Sequence, residues 1–283
     1  MSAPFETHRF AGPARELSID VFQPAASELR TAIVILHGGG LRGGSREAVH
    51  GRAAELASLG FVACAAEYRL LGEAAWPAPL DDVRSAIGWV RENADSLGIA
   101  PDRIVAQGQS AGGYLALLAA ANGPLAAVVA FYPTIGLYPE PPPAQMPDGP
   151  PHIEQAPDGT IPSWRVLGDD VDGEHISDAS PIRQIDGSFP PTILFHGAAD
   201  TLVRSFSTVI FYDRLTALGV PVDLHLYAHA VHEFDLTPEM CAVTSAETAS
   251  FIRRYVVDPE GARAADAAAN PFAPGGAFER GRG

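Results

Sequence analysis

The segment IVAQGQSAGGYLALLAAAN, residues 104–122, opens as an apolar run, crosses Gly108-Gln109-Ser110-Ala111-Gly112, and continues as an alanine and leucine helix pattern. A strand passing directly into a helix needs a sharp turn with a strained backbone, and small neighbours let the two elements approach closely. A serine at the apex of such a turn has its hydroxyl lifted into a cleft, which is the context that the GxSxG pattern requires for a nucleophile. A serine hydroxyl is weak without a base, and the base needs a carboxylate to hold its tautomer. The remaining sequence is therefore read for both.

On either side of this segment, short apolar runs read as buried strands: ELSIDVFQP, TAIVILHGG, FVACAAEYRL, LAAVVAFYP, PTILFHGAAD and VDLHLYAHA. Helical patterns separate most of them. SREAVHGRAAELASLG closes on Gly60, PLDDVRSAIGWVRENADSLG on Gly98 and RSFSTVIFYDRLTALG on Gly219, while TPEMCAVTSAETASFIRRYV starts on Thr, Pro and Glu and ends in basic residues. The alternation predicts an α/β fold, with a mostly parallel central sheet of about eight strands flanked by helices and ligands bound beyond the strands' carboxyl ends.

Two segments break the rhythm. Residues 133–180 are proline-rich and far longer than an ordinary connection, which predicts a cap or lid insertion after the sixth strand. The segment 258–283, biased to Ala, Gly and Pro, reads as a flexible tail or a surface strap. The chain of 283 residues is otherwise read as one domain. Its 34 acidic and 19 basic residues give a net charge of −15, which repels phosphate backbones and anionic lipid, so no nucleic-acid partner is expected. The start, MSAPFETHRFAG, lacks a basic segment followed by an apolar one, and no stretch is long enough to span a bilayer, so the expectation is a soluble, cytoplasmic protein. Cys64 and Cys241, far apart and without CxxC spacing, suggest neither a disulfide framework nor a zinc site. DDVDGE, 169–174, lacks the full spacing of a calcium loop and is assigned to solvent, so no metal and no cofactor are expected.

Downstream of Ser110, PTILFHGAAD leads out of an apolar run into Asp200, and LHLYAHAVHEF leads out of the last strand into His232. Both fall in loops at the carboxyl edge where Ser110 lies. His229 competes with His232 but sits nearer the strand end. Glu233 and Asp235 compete with Asp200 but are too close to His232 in sequence to face its ring easily, and read as solvated loop charge. Asp81 and Asp82 open a helix, where complementing its dipole accounts for them. His8, His50, His152 and His175 have no motif context and read as surface residues. HGGG, residues 37–40, follows TAIVIL and offers amides unobstructed by side chains; those of Gly39 and Gly40, with that of Ala111, form a candidate oxyanion hole. Phe131 and Tyr132, at a strand end, and Tyr138, Met146, Trp164 and Val166, in the long insert, are candidate pocket walls; the equal alternative for them is the insert's own small core.

These segments together resemble the α/β hydrolase superfamily and, within it, the bacterial esterases related to hormone-sensitive lipase. The resemblance rests on HGGG, EYRL at 67–70, WPAPLDDVRSAIGWVRENA at 76–94, GQSAGG at 108–113, ASPI at 179–182, HGAAD at 196–200 and the His232 segment. The chain order Ser, Asp, His is that of the same superfamily. It implies a cofactor-free carboxylesterase with Ser110 as nucleophile, His232 as base, Asp200 as orienter, and a small-molecule ester as substrate. Two departures stand out. Gln109 occupies a position that is often aspartate in that family, so a supporting carboxylate is missing there. Only 36 residues precede HGGG, which leaves the site open or roofed by 133–180 alone. Amide hydrolysis, as in an arylformamidase or deacetylase, uses the same residues, and a silent ligand-binding relative is a further alternative. A homodimer would rest on the terminal helix and tail.

Overall fold

Apolar residues that run without alternation belong on strands covered by helices on both faces. The computed structural model describes residues 4–26, 29–140, 155–168 and 173–275. Its main sheet has eight strands: β1 (Glu6–Ala11), β2 (Glu16–Phe22), β3 (Ala32–Leu36), β4 (Val62–Ala66), β5 (Ile104–Gln109), β6 (Ala127–Phe131), β9 (Thr192–Gly197) and β10 (Val222–Tyr227). The intervening β7 (Leu137–Tyr138) and β8 (Ile161–Pro162) form a separate parallel pair. The order in the main sheet is β1-β2-β4-β3-β5-β6-β9-β10. Pairing is antiparallel from β1 to β2 and β2 to β4, and parallel from β4 onward. Every residue of β3, β4, β5 and β6 is buried.

Successive side chains on these strands feed two cores. Val34, Cys64, Ala106 and Val128 pack with Val83, Leu115 and Phe211, from the helices Ala78–Glu92, Ala111–Ala121 and Phe206–Ala217. Ile33, Ile35, Ala63, Val105 and Val129 pack instead with Leu56 and Phe251, from the helices His50–Ser58 and Pro238–Ile252. Each fully buried leucine, isoleucine or phenylalanine contributes about 1.5–3 kcal/mol relative to exposure. The helix Ala111–Ala121 has no polar face, because it is wedged between the sheet and the helix Ala78–Glu92. Thr237 caps the helix Pro238–Ile252 by accepting from the Met240 amide.

The eighth strand, β1, is the one the apolar pattern misses. Its sequence ETHRFA buries only Phe10, since it lies on the sheet edge and needs no second apolar face. Asp82 also differs from its reading as a helix-dipole charge: it is fully buried and holds Arg69 through Nε at 2.7 Å and Nη2 at 2.8 Å, besides the Arg69 amide at 2.9 Å. The carboxylate thereby ties the helix Ala78–Glu92 to the loop after β4. His50 is likewise not a plain surface residue, for its Nε2 lies 2.8 Å from the buried Asp20 carboxylate. His8 remains half-exposed and His175 exposed, while His152 lies outside the described residues.

Within 133–180, β7 and β8 sit among residues packed back onto the sheet domain: Ile135, Leu137 and Ile161 join the core that holds Leu115, and the Tyr114 hydroxyl donates to the Ala179 carbonyl at 2.6 Å. Met146 and residues 169–172 lie outside the described residues. Beyond Asp258 the chain is not irregular throughout, because a helix spans Pro259–Ala269, capped by Asp258 accepting from the Gly261 amide. Alanine's high helix propensity explains it. Both cysteines are free thiols, and burial pushes that of Cys64 up to about 12. Among the described residues no helix is long and apolar enough to cross a membrane.

Candidate active site

Parallel strands that reverse their order of addition at β5 leave a crevice at the carboxyl edge of the sheet. Ser110 stands there, between β5 and the helix Ala111–Ala121, at φ 51° and ψ −114°. Its amide donates to the Phe131 carbonyl at 2.9 Å and its carbonyl accepts from the Tyr114 amide at 2.9 Å, so the strained turn is held from both sides. The glycines around it answer a steric demand. A Cβ on Gly108 would lie 2.2 Å from the Gly112 carbonyl carbon, and one on Gly112 would lie 2.3 Å from the Leu36 carbonyl oxygen. Both obstacles are backbone and cannot swing aside. Gly112→Ala is therefore expected to separate the helix from β3 and leave the protein insoluble or unfolded, an outcome that soluble yield and circular dichroism would check.

The three residues singled out in the sequence meet in order. His232 Nε2 lies 3.0 Å from Ser110 Oγ, and His232 Nδ1 lies 2.6 Å from Asp200 Oδ2. With its proton on Nδ1, the imidazole donates to Asp200 and accepts from the serine hydroxyl. Asp200 follows the end of β9 and His232 the end of β10, and these strands are neighbours. Asp200 Oδ1 accepts the amides of Leu202 at 2.9 Å and Val203 at 3.0 Å. His196 Nε2 donates to the Val203 carbonyl at 2.8 Å and lies 3.3 Å from Asp200 Oδ2. Burial works against the charge on Asp200, but the bonds from His196 and His232 outweigh it and hold the carboxyl well below the usual carboxylate range. His229 is exposed, three positions from His232, and takes no part.

Opposite Ser110 is the loop after β3. Gly39 has φ 112° and Gly40 φ 62°, and the Gly39 carbonyl accepts the amides of Arg42 and Gly43, each at 3.1 Å. A Cβ on Gly39 would sit 2.2 Å from the Gly43 oxygen, so the turn admits only glycine there. Buried His37 anchors the loop: Tyr68 stacks on its ring at 4.3 Å and donates its hydroxyl to the His37 carbonyl at 2.7 Å. Burial lowers the His37 pKa, which keeps this ring neutral. Among the described residues the amides of Gly39, Gly40 and Ala111 meet no protein acceptor. All three residues line one cavity of about 430 Å³ with Ser110 and His232.

Of the six candidate wall residues, Val166 lines this cavity. Tyr138 and Trp164 do not: Tyr138 is paired within β7 and β8, and buried Trp164 lies under the Arg165 guanidinium at 4.6 Å. Phe131 faces the other side of the sheet, stacked on Phe195 at 4.5 Å. Tyr132 is fully buried because its backbone, at φ 37°, turns the ring inward behind His232. The walls are instead Tyr114, Ile161, Leu202 and Val203, with Arg42 and Arg165 beside them. Strand parity and the loop path decide these positions, and neither leaves a mark in local composition. Glu233 is exposed and lines the cavity, whereas Asp235 is not a solvated loop charge: it is buried in a hydrogen-bonded cluster with Arg52, Tyr132 and Gln109. That cluster supplies a carboxylate beside Gln109 after all, from a different loop. Among the described residues no group of three or more His, Cys, Asp or Glu is placed to hold a metal ion.

A mainly parallel eight-stranded sheet, with a strained serine at a strand-to-helix turn and an aspartate and a histidine following it at neighbouring strand ends, defines an α/β hydrolase. Within that class the chain belongs to the BD-FAE family, whose model matches residues 19–215. Esterase LipQ of Mycobacterium tuberculosis is 30% identical over 84% of the chain, which spans 59% of that protein. Esterase LipU of the same organism is 30% identical over 76% of the chain and 74% of its own length. The chain thus spans little more than half of the first curated relatives it matches, 59%, 51% and 53% of them. Among solved structures, Thermogutta terrifontis esterase 2 phosphonylated by sarin superposes with a TM-score of 0.75 at 26% identity, over 91% of this chain and 97% of that one.

Proposed function

We propose that this protein is a serine carboxylesterase that hydrolyses short-chain acyl esters through an acyl-enzyme. The observation that carries the reading is the unbroken relay from Asp200 through His232 to Ser110 Oγ, in a cavity lined also by Gly39, Gly40 and Ala111, whose amides meet no acceptor among the described residues. Ser110 Oγ attacks the ester carbonyl while His232 Nε2 takes its proton, and ionised Asp200 steadies the imidazolium. The carbonyl oxygen, now negative, is met by the amides of Gly39, Gly40 and Ala111, each worth about 3–4 kcal/mol at the transition state when well placed. His232 then returns the proton to the leaving alcohol, and a water activated by the same ring releases the acid.

Short acyl groups suit a cavity of about 430 Å³ walled by Tyr114, Ile161 and Val166. The residues around β8 bring Ile161, Arg165 and Val166 to the cavity, and we assign residues 155–168 of the insert the role of its roof. The similarity to esterases supports the same chemistry. The test is a nitrophenyl ester series from acetyl to dodecanoyl. Turnover is expected to peak at the short acyl groups and decline beyond them; a folded protein with no turnover on any member would overturn the assignment.

A further inference from the structure

Behind His232, away from the cavity, one buried carboxylate gathers three parts of the site. Asp235 is 1% exposed. Its Oδ1 accepts the Tyr132 hydroxyl at 2.5 Å, and its Oδ2 accepts Arg52 Nη2 at 2.8 Å and Gln109 Nε2 at 3.3 Å. Arg52, equally buried on the helix His50–Ser58, spends Nη1 on Thr244 Oγ1 at 2.7 Å and Ser245 Oγ at 2.9 Å, both on the helix Pro238–Ile252. Its guanidinium also lies over the Phe131 ring at 4.7 Å.

Two of the three groups held by Asp235 adjoin the reacting residues. Gln109 precedes Ser110, and among the described residues its Oε1 has no partner, so Asp235 is the anchor of that side chain. The Tyr132 ring lies against the His232 imidazole, with centroids 4.4 Å apart and planes at 56°. Asp235 itself sits on the loop that carries His232. Three non-glycine residues with left-handed backbone, Ser110 at φ 51°, Tyr132 at φ 37° and Glu233 at φ 58°, fall within this cluster or close beside it in the chain. Strained conformations persist only where the surroundings over-determine them. A buried ion pair is weak evidence for stability, because a well-packed apolar replacement is often no worse. What an apolar replacement could not do is bond, from the histidine loop, both to the residue before Ser110 and to the hydroxyl of the tyrosine behind His232.

We propose that Asp235 is a positioning residue, which through Tyr132 and Gln109 holds His232 and Ser110 in register for proton transfer. The proposal rests on the serine esterase reading. It contacts no substrate: Asp235, Tyr132, Gln109 and Arg52 are all absent from the cavity lining. Misplacing a proton acceptor by about 1 Å is enough to slow a reaction by roughly a hundredfold.

The test compares the full-length wild type with Asp235→Asn and Tyr132→Phe, the second variant keeping the ring and removing only the hydroxyl. Active sites are titrated to completion with a fluorophosphonate, and kcat is expressed per titrated site, so that any loss of folded protein drops out. Both variants are expected to lose at least about tenfold in kcat per site, with KM within about twofold of wild type. A merely structural role would lower melting temperature or the number of titratable sites and leave kcat per site unchanged. That result in Tyr132→Phe overturns the proposal even where Asp235→Asn fails to fold. A wild type that neither labels at Ser110 nor turns over an ester overturns the esterase reading and this proposal together.

Discussion

Ser110→Ala is expected to lower kcat on a short-chain nitrophenyl ester by about five to six orders of magnitude while leaving the fold intact. Serine already occupies a backbone conformation that side chains rarely adopt, at φ 51°, and alanine keeps its Cβ. The turn is held by the bonds of the Ser110 amide to Phe131 and of its carbonyl to Tyr114, which the substitution does not touch. What is lost is the oxygen 3.0 Å from His232 Nε2. Because nucleophile and base act as one unit, adding His232→Ala to Ser110→Ala is expected to change kcat little further. Residual turnover then reports what the proposed oxyanion hole of Gly39, Gly40 and Ala111 achieves with water alone. Progress curves at high enzyme concentration would measure it, with circular dichroism confirming the fold. Near-normal turnover in Ser110→Ala would remove the serine from the reaction.

Asp200→Asn carries the second-largest expected effect, a fall of about four orders of magnitude in kcat. The asparagine amide can donate toward His232 Nδ1, which favours the tautomer with its proton on Nε2 and leaves no acceptor for the serine hydroxyl. The same substitution changes the acid stability of the fold. Asp200 in the folded protein is held below its ordinary value, because bonds from His196 and His232 outweigh the effect of burial. A depressed folded pKa means that the group stabilises the fold above its unfolded value of about 3.9, and that this contribution is lost as pH falls through the lower folded value. The wild type is therefore expected to gain stability relative to Asp200→Asn as pH rises from about 2 to about 5, with a constant difference above that range. Urea unfolding midpoints at a series of pH values would measure it. A difference that stays flat through this window would show that Asp200 is not held ionised as the geometry requires.

Much of this site is legible in one dimension because its demands are local. GQSAG must be small around the serine where a strand meets a helix, and the backbone obstacles at Gly108 and Gly112 show why. HGGG must turn sharply, and only glycine is admitted at Gly39. Asp200 and His232 follow apolar runs that end as strands, and a parallel sheet brings such ends to one edge. What is not legible depends on contacts between distant segments. Asp235 carries the same charge in the sequence whether it is solvated or bonded to Arg52, 183 positions away. Tyr132 and Phe131 sit at the right strand end for a pocket wall, but φ 37° at Tyr132 directs its ring behind the histidine rather than into the cavity. Asp82 reads equally well as a helix-dipole charge until Arg69 is found against it.

The sequence by itself determined the class of fold and singled out Ser110, His232 and Asp200, which the structure brings together, because strand and helix periodicity and glycine placement are properties of neighbouring residues. Only the tertiary structure decided the cavity walls, the edge strand β1 and the cluster centred on Asp235. Those follow from which faces the sheet's pleat and the helices bring together, and burial turns the same side chain from a solvated charge into a bonded one.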